Sequence, residues 1–154
     1  MRYQKPVFNV ALRMLRNRQD AMDVAQTTFL KAFEHLGDYD PAFRFYSWVY
    51  RIAINESLNA LAQRKPREQL DANAPDEGLG PDRAAEGDQA LHAIEGALMH
   101  ISAELRAVVV LRHITQLSYQ DIAVALDLPE KTVKSRLHSA RERLREDLLR
   151  SGAI

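Results

Sequence analysis

Apolar residues recur three and four apart through most of the chain, and they nowhere alternate long enough to make a strand. From Pro6 to Arg16 the stripe is Val7, Val10, Ala11, Met14 and Leu15, one face of a helix that Asn17 stops. A second helix is predicted from about Asp20 to His35. Its buried stripe is Ala21, Val24, Ala25, Thr28, Phe29, Ala32, Phe33 and Leu36, with Asp20 as N-cap and Gly37 just beyond its end. After a short loop, Asp38 to Phe43, which holds Pro41, a third helix covers about Arg44 to Gln63. It turns Phe45, Trp48, Val49, Ile52, Ala53 and Leu58 inward, and Pro66 prevents its continuation.

Periodicity then lapses. Lys65 to Asp88 carries Pro66, Pro75, Pro81, Gly78, Gly80 and Gly87 and almost no apolar pattern, so it reads as a linker between two small modules, residues 1–64 and 89–154. The second module shows four helices. Gln89 to His100 is amphipathic. Ser102 can cap Ala103 to His113, where Leu105, Val108, Val109 and Ile114 supply the apolar face. Ser118-Tyr-Gln-Asp121 resembles a capping box and opens a brief helix, Tyr119 to Leu126. Asp127-Leu128-Pro129 breaks it, and a long helix follows from Glu130 to about Leu149, with Val133, Leu137, Ala140, Leu144 and Leu148 on one face. The predicted fold is all-α: a three-helix domain and a four-helix domain joined by a flexible acidic linker.

Composition narrows the chemistry. The 154 residues are 46% hydrophobic but only 7% aromatic, which suits helices better than a sandwich. There is no cysteine, which excludes disulfides, iron–sulfur sites and thiol nucleophiles. No apolar run approaches the ~18 residues a membrane helix needs, and no signal peptide is visible, so a cytoplasmic protein without membrane insertion is expected. Net charge is zero, yet residues 1–67 carry +5, residues 68–88 carry −6 and residues 89–154 carry +1. The five histidines are scattered, and neither a phosphate loop nor a nucleophile elbow is present. No catalytic centre, metal site or cofactor is expected.

Two constellations remain. In the second module, a two-turn helix, a three-residue break and a longer helix make the spacing of a helix-turn-helix. The long helix bears Lys134, Ser135, Arg136, His138, Ser139, Arg141 and Arg145, mostly opposite its apolar stripe, a face able to enter a major groove. A solvated surface helix is the alternative, and Glu142, Glu146 and Asp147 speak for it. In the first module, Phe43-Arg-Phe-Tyr-Ser-Trp-Val-Tyr-Arg51 packs five aromatics and two arginines into nine residues, a composition suited to stacking on unpaired bases. Phe45 and Trp48 fit the core; Phe43, Tyr46 and Tyr50 lie off its stripe and are the surface candidates. Asp20, Asp23, Gln26, Thr27, Lys31 and Glu34 line the outer side of the second helix, either as a solvated face or as a partner surface.

Together the modules resemble a known family. Asp20 to Phe33 (DAMDVAQTTFLKAF), Phe45 to Ala53 (FYSWVYRIA) and Asn55 resemble region two of extracytoplasmic-function sigma factors. Leu117 to Ala123 (LSYQDIA) and Leu128 to His138 (LPEKTVKSRLH), ending at Ala140-Arg141, resemble their region four. The resemblance implies a non-enzymatic specificity subunit that binds core RNA polymerase, at the β′ clamp and the β flap, and promoter DNA. It usually brings an anti-sigma factor as well. It assigns polymerase docking to Asp20, Asp23, Gln26 and Thr27. The loop from Asp38 to Phe45 would capture a flipped base of the −10 element, with Phe43, Arg44, Tyr46, Tyr50, Arg51 and Asn55 holding the melted strand. Lys134, Ser135, Arg136, His138, Ser139 and Arg141 would read the −35 element. The acidic linker would thread the RNA exit path.

Three departures from the family pattern stand out. Met1 falls where members begin their second helix, so a first helix is expected to be missing. Lys131 and Asp127 stand where glycines are common, and Asp tolerates the left-handed backbone such a turn needs. Ser139 stands where many members carry Arg. A stand-alone helix-turn-helix regulator, or a truncated sigma acting only as an interaction module, are the competing readings.

Overall fold

The computed structural model describes residues 4–42, 44–64 and 87–152. Seven α-helices lie among them: α1 (Gln4–Leu15), α2 (Arg18–Glu34), α3 (Phe45–Gln63), α4 (Gly87–His100), α5 (Ala103–His113), α6 (Tyr119–Leu126) and α7 (Glu130–Arg150), with a 3₁₀ turn at Leu36–Asp38. The all-helical expectation holds. The predicted linker, apart from the first residues of α4, and Phe43 lie outside the described residues.

Local chemistry sets the helix ends. Between α1 and α2 stand only Arg16, in the left-handed region at φ 50°, and Asn17. Asn17 is the N-cap of α2, its side chain accepting from the Asp20 amide at 2.9 Å, so the expected cap at Asp20 moves three residues upstream. The carboxylate of Asp20 instead meets Arg64 at 3.1 Å. Gly37 is not the residue just past α2 either: the helix closes at His35 and Gly37 sits inside the 3₁₀ turn. Ser102 and Ser118 cap α5 and α6 as expected, accepting from Leu105 and Asp121 amides.

The buried apolar residues form one continuous cluster that runs from Val7, Val10 and Met14 of α1 through Val49 and Ile54 of α3 to Val108, Leu111, Ile122, Val133 and Leu137. Helix α1 packs on α4 and α5, and α3 packs on α6. Polar groups tie the same contact. Arg13 pairs with the buried Glu95 of α4 at 3.2 Å. Arg106 of α5, 4% exposed, donates to the carbonyls of Met14 (2.5 Å), Leu98 (2.8 Å) and Ile101 (3.2 Å). Arg64 donates to the Leu15 carbonyl at 2.7 Å. Two distant arginines thus satisfy carbonyls that the last turn of α1 leaves without helical partners, where positive charge also suits the helix dipole.

Burial corrects the predicted faces. Helix α2 buries Ala21, Val24, Ala25, Thr28 and Ala32, while Phe29 is half-buried, Leu36 is exposed and Phe33 is 81% exposed. Small residues let α2 lie close to α1 and α3, which leaves no room on that side for the larger rings. Tyr50 is buried, since Val49, Tyr50, Ala53, Ile54 and Ser57 form the inner face of α3. Ile114, expected on an apolar face, is exposed past the end of α5.

Candidate nucleic-acid interface

The α6–α7 pair has helix-turn-helix geometry. Helix α6 ends in a Schellman arrangement: Asp127, at φ 54°, donates its amide to Val124, and Leu128 donates to Ala123 at 2.9 Å. A carboxylate residue thus takes the left-handed position where glycine is common. Pro129 follows, and its carbonyl accepts from Thr132 and Val133 to start α7. Val133, Leu137 and Ala140 anchor α7 in the core.

The rest of α7 faces outward. Lys134, Ser135, His138, Ser139 and Arg141 are exposed and Arg136 is half-buried. At about 100° per residue, Lys134, His138, Arg141 and Arg145 fall in one row. Arg136 lies roughly 200° round from Lys134, on the opposite edge. Between these edges the outward line is Lys131, Ser135, Ser139 and Glu142. The six predicted residues therefore share a surface but not a single line.

Three further residues, Tyr119, Arg112 and His113, to which the sequence pattern assigned no role at the interface, support the Lys134 row. The Tyr119 ring lies under the Arg112 guanidinium at 4.8 Å and the Lys134 ammonium at 5.8 Å. The Nε2 atom of His113 lies 3.2 Å from the Arg141 guanidinium. Burial, and then the charges of Arg141 and Arg112, hold the His113 pKa below its usual 6.5. Long-range side-chain contacts of this kind leave no periodic signal in a sequence.

The aromatic segment is divided. Tyr39, Phe45 and Trp48 form a mutual cluster with centroids 5.3–5.6 Å apart, pinning the loop against the start of α3. Tyr46 is exposed and stacks on the buried Tyr50 at 6.4 Å. Tyr50 therefore supports Tyr46 rather than offering a surface of its own, a correction to the predicted set. Arg44, Arg51 and Asn55 are exposed. All three lie toward the other half of the chain. Arg44 approaches Asp121 at 3.6 Å and Arg51 approaches Asp127 at 3.8 Å. Arg51, Asn55 and Trp48 line one wall of a cleft of about 890 Å³, and Ala123, Val124, Asp127 and Leu128 line the other.

On α2, Asp23 and Gln26 are exposed, Thr27 is half-buried, and Asp20 is tied to Arg64. Beside them an apolar strip, Met22, Leu30 and Phe33, is open to solvent; of the three, the predicted stripe had placed only Phe33 inside. Among the described residues no group of three or more histidines and carboxylates could hold a metal, and no helix is long and apolar enough to cross a membrane.

Comparison with known proteins places these features in a class. The family profile for sigma-70 region 2 matches residues 1–67, and that for sigma-70 region 4 matches residues 91–144. The chain is 32% identical over 158 residues to the ECF RNA polymerase sigma factor SigW of Bacillus subtilis, covering 95% of this chain and 84% of the relative. It is 34% identical over 154 residues to the RNA polymerase sigma-H factor of Pseudomonas aeruginosa, covering 92% and 80%. The sigma factor RpoE of Bartonella quintana, solved with the anti-sigma factor NepR, superposes with a TM-score of 0.74 at 26% identity, over 94% of this chain and 91% of that one. CnrH, solved with the cytosolic domain of CnrY, gives 0.72 at 25% identity, over 97% and 84%. The chain belongs to the extracytoplasmic-function sigma factors of the sigma-70 family.

Proposed function

We propose that the chain binds core RNA polymerase and directs it to a promoter subset, reading −10 and −35 elements and starting transcription without a catalytic centre of its own. It works in the cytoplasm beside the polymerase. The observation that carries this reading is the pairing, in one chain, of a helix-turn-helix with a second helical unit whose α2 exposes Met22, Leu30 and Phe33 beside Asp23 and Gln26. A stand-alone regulator has no use for that second surface. An apolar strip edged by carboxylate and amide suits a protein partner, and the β′ clamp is the partner that the family supplies.

In the −35 groove the geometry of α7 divides the labour. The middle of the outward face, Ser135 and Ser139 with Lys131 and Glu142, meets base edges. Lys134 and Arg141 on one edge, and Arg136 on the other, meet the phosphate walls. At −10, the loop before α3 with Arg44, Tyr46, Arg51 and Asn55 holds the melted strand. Because α6 lies across Arg51 and Asn55, the halves must separate before that strand can enter. Since RpoE of Bartonella quintana was solved with the anti-sigma factor NepR, an anti-sigma factor is expected here too.

The test is co-elution of the purified chain with bacterial core polymerase, followed by run-off transcription on genomic fragments with and without the chain. Co-elution and new start sites support the reading. Duplex binding without polymerase, and no co-elution, would replace it with the stand-alone regulator.

A further inference from the structure

We propose that Tyr119 and His113 are positioning residues for DNA engagement, holding Lys134 and Arg141 along one edge of α7 as a phosphate clamp. The proposal rests on the reading that α7 enters a major groove. Lys134 and Arg141 are seven residues apart, two turns along the same row. Each meets a group from beneath the helix. The Tyr119 ring face attracts the Lys134 ammonium at 5.8 Å, against the pull of Glu130, whose carboxylate lies 3.8 Å from the same nitrogen one turn back. The far side of the electrostatics is set by Arg112, which lies over the Tyr119 ring at 4.8 Å and is fixed by donating to the Leu117 carbonyl at 3.0 Å. The ring cannot turn without losing both cations. Two turns on, the Arg141 guanidinium has only donors to offer, so His113 accepts at Nε2 and carries its proton on Nδ1.

What such support provides is entropy. A free lysine or arginine loses rotamer freedom when it docks on a phosphate. A side chain already held near the helix edge loses less, so each contact is worth more. Arg112 and His113 close α5, and Tyr119 opens α6. The clamp is therefore set by the scaffold beneath α7 and is independent of the base-reading line on its outward face. Substitution of Tyr119 or His113 should weaken DNA binding uniformly across sequences and leave base preference unchanged.

The experiment uses holoenzyme reconstituted from the full chain and core polymerase. The probe is a duplex selected from a randomised library by the unaltered holoenzyme, titrated at four salt concentrations. Lys134→Ala removes one phosphate contact and should lower the slope of log K against log salt by about 0.9. Tyr119→Leu leaves Lys134 able to reach the same phosphate, so it should keep the parent slope and lower affinity several-fold, and the Tyr119→Leu/Lys134→Ala double variant should bind no worse than Lys134→Ala alone. Tyr119→Phe, which keeps the ring, should match the parent, and His113→Gln, which keeps an acceptor, should bind better than His113→Ala. Thermal melting of each variant separates lost positioning from lost folding. Additive losses in the double variant, parent-like affinity in Tyr119→Leu, or a changed base preference would overturn the positioning role alone. A parent-like slope in Lys134→Ala would overturn the groove reading and the clamp with it.

Discussion

Replacing Arg106 with Met tests how the two halves of the chain hold together. Met roughly keeps the volume and removes the guanidinium, leaving the carbonyls of Met14, Leu98 and Ile101 without their donor. A hydrogen bond to a charged group contributes about 1.5–3 kcal/mol, so three amount to about 4.5–9 kcal/mol before any offset. Burial, with Arg64 nearby, pushes the Arg106 pKa down to about 10, and Met removes that desolvation cost. At about 1.4 kcal/mol per unit the offset is roughly 3 kcal/mol. Partial rehydration of the Leu98 and Ile101 carbonyls at the end of α4 lowers the loss further. The expected destabilisation is about 3 kcal/mol, or roughly a hundredfold in the folding equilibrium. Urea denaturation of the full chain, followed by circular dichroism, measures it. Arg106→Lys should fall between Met and the parent, because one ammonium cannot reach three carbonyls spread along a planar fork. A loss below about 1 kcal/mol for Arg106→Met would refute the reasoning, since it would mean water already serves these carbonyls.

Leu30→Ser with Phe33→Ser should abolish co-elution with core polymerase while changing stability by no more than about 0.5 kcal/mol, as both side chains are exposed. Asp127→Val should destabilise the chain by about 1–2 kcal/mol in urea titration, because a β-branched residue cannot accept φ 54° at the end of α6. His113 has a folded pKa below 6.5, so the unfolded chain takes up its proton more readily. Its contribution to stability is complete above about pH 6.5 and is lost as the pH falls through the folded pKa, and His113→Gln should flatten that part of a urea-midpoint series from pH 7.5 to 5.

The helices and their breaks were legible because they depend on neighbours in sequence. Ser102, Ser118 and Asp127 act within one turn, and the α6–α7 spacing needs nothing remote. Which face of a helix goes inward was less legible. In helix α2 periodicity found the side that packs, Ala21, Val24, Ala25, Thr28 and Ala32, but drew the stripe too wide and took in Phe33 and Leu36, which are exposed. Tyr50 was misplaced because it lay off the stripe drawn through Phe45, Trp48 and Ile52, although it stands three and four residues before Ala53 and Ile54 on the inner face. Arg106 gave no warning at all. An arginine next to Ala-Val-Val-Val looks like a solubilising residue, and its partners lie on helices up to 92 positions away.

Chains with two recognised regions usually melt in two steps when only a tether joins them. Here the apolar cluster runs without a break from α1 to α7, and Arg106 bonds across it. Heating should therefore give a single heat-capacity peak, with calorimetric and van't Hoff enthalpies nearly equal. A ligand that pulls the halves apart should split that peak in two, so the number of peaks becomes a direct readout of whether the chain is open or closed.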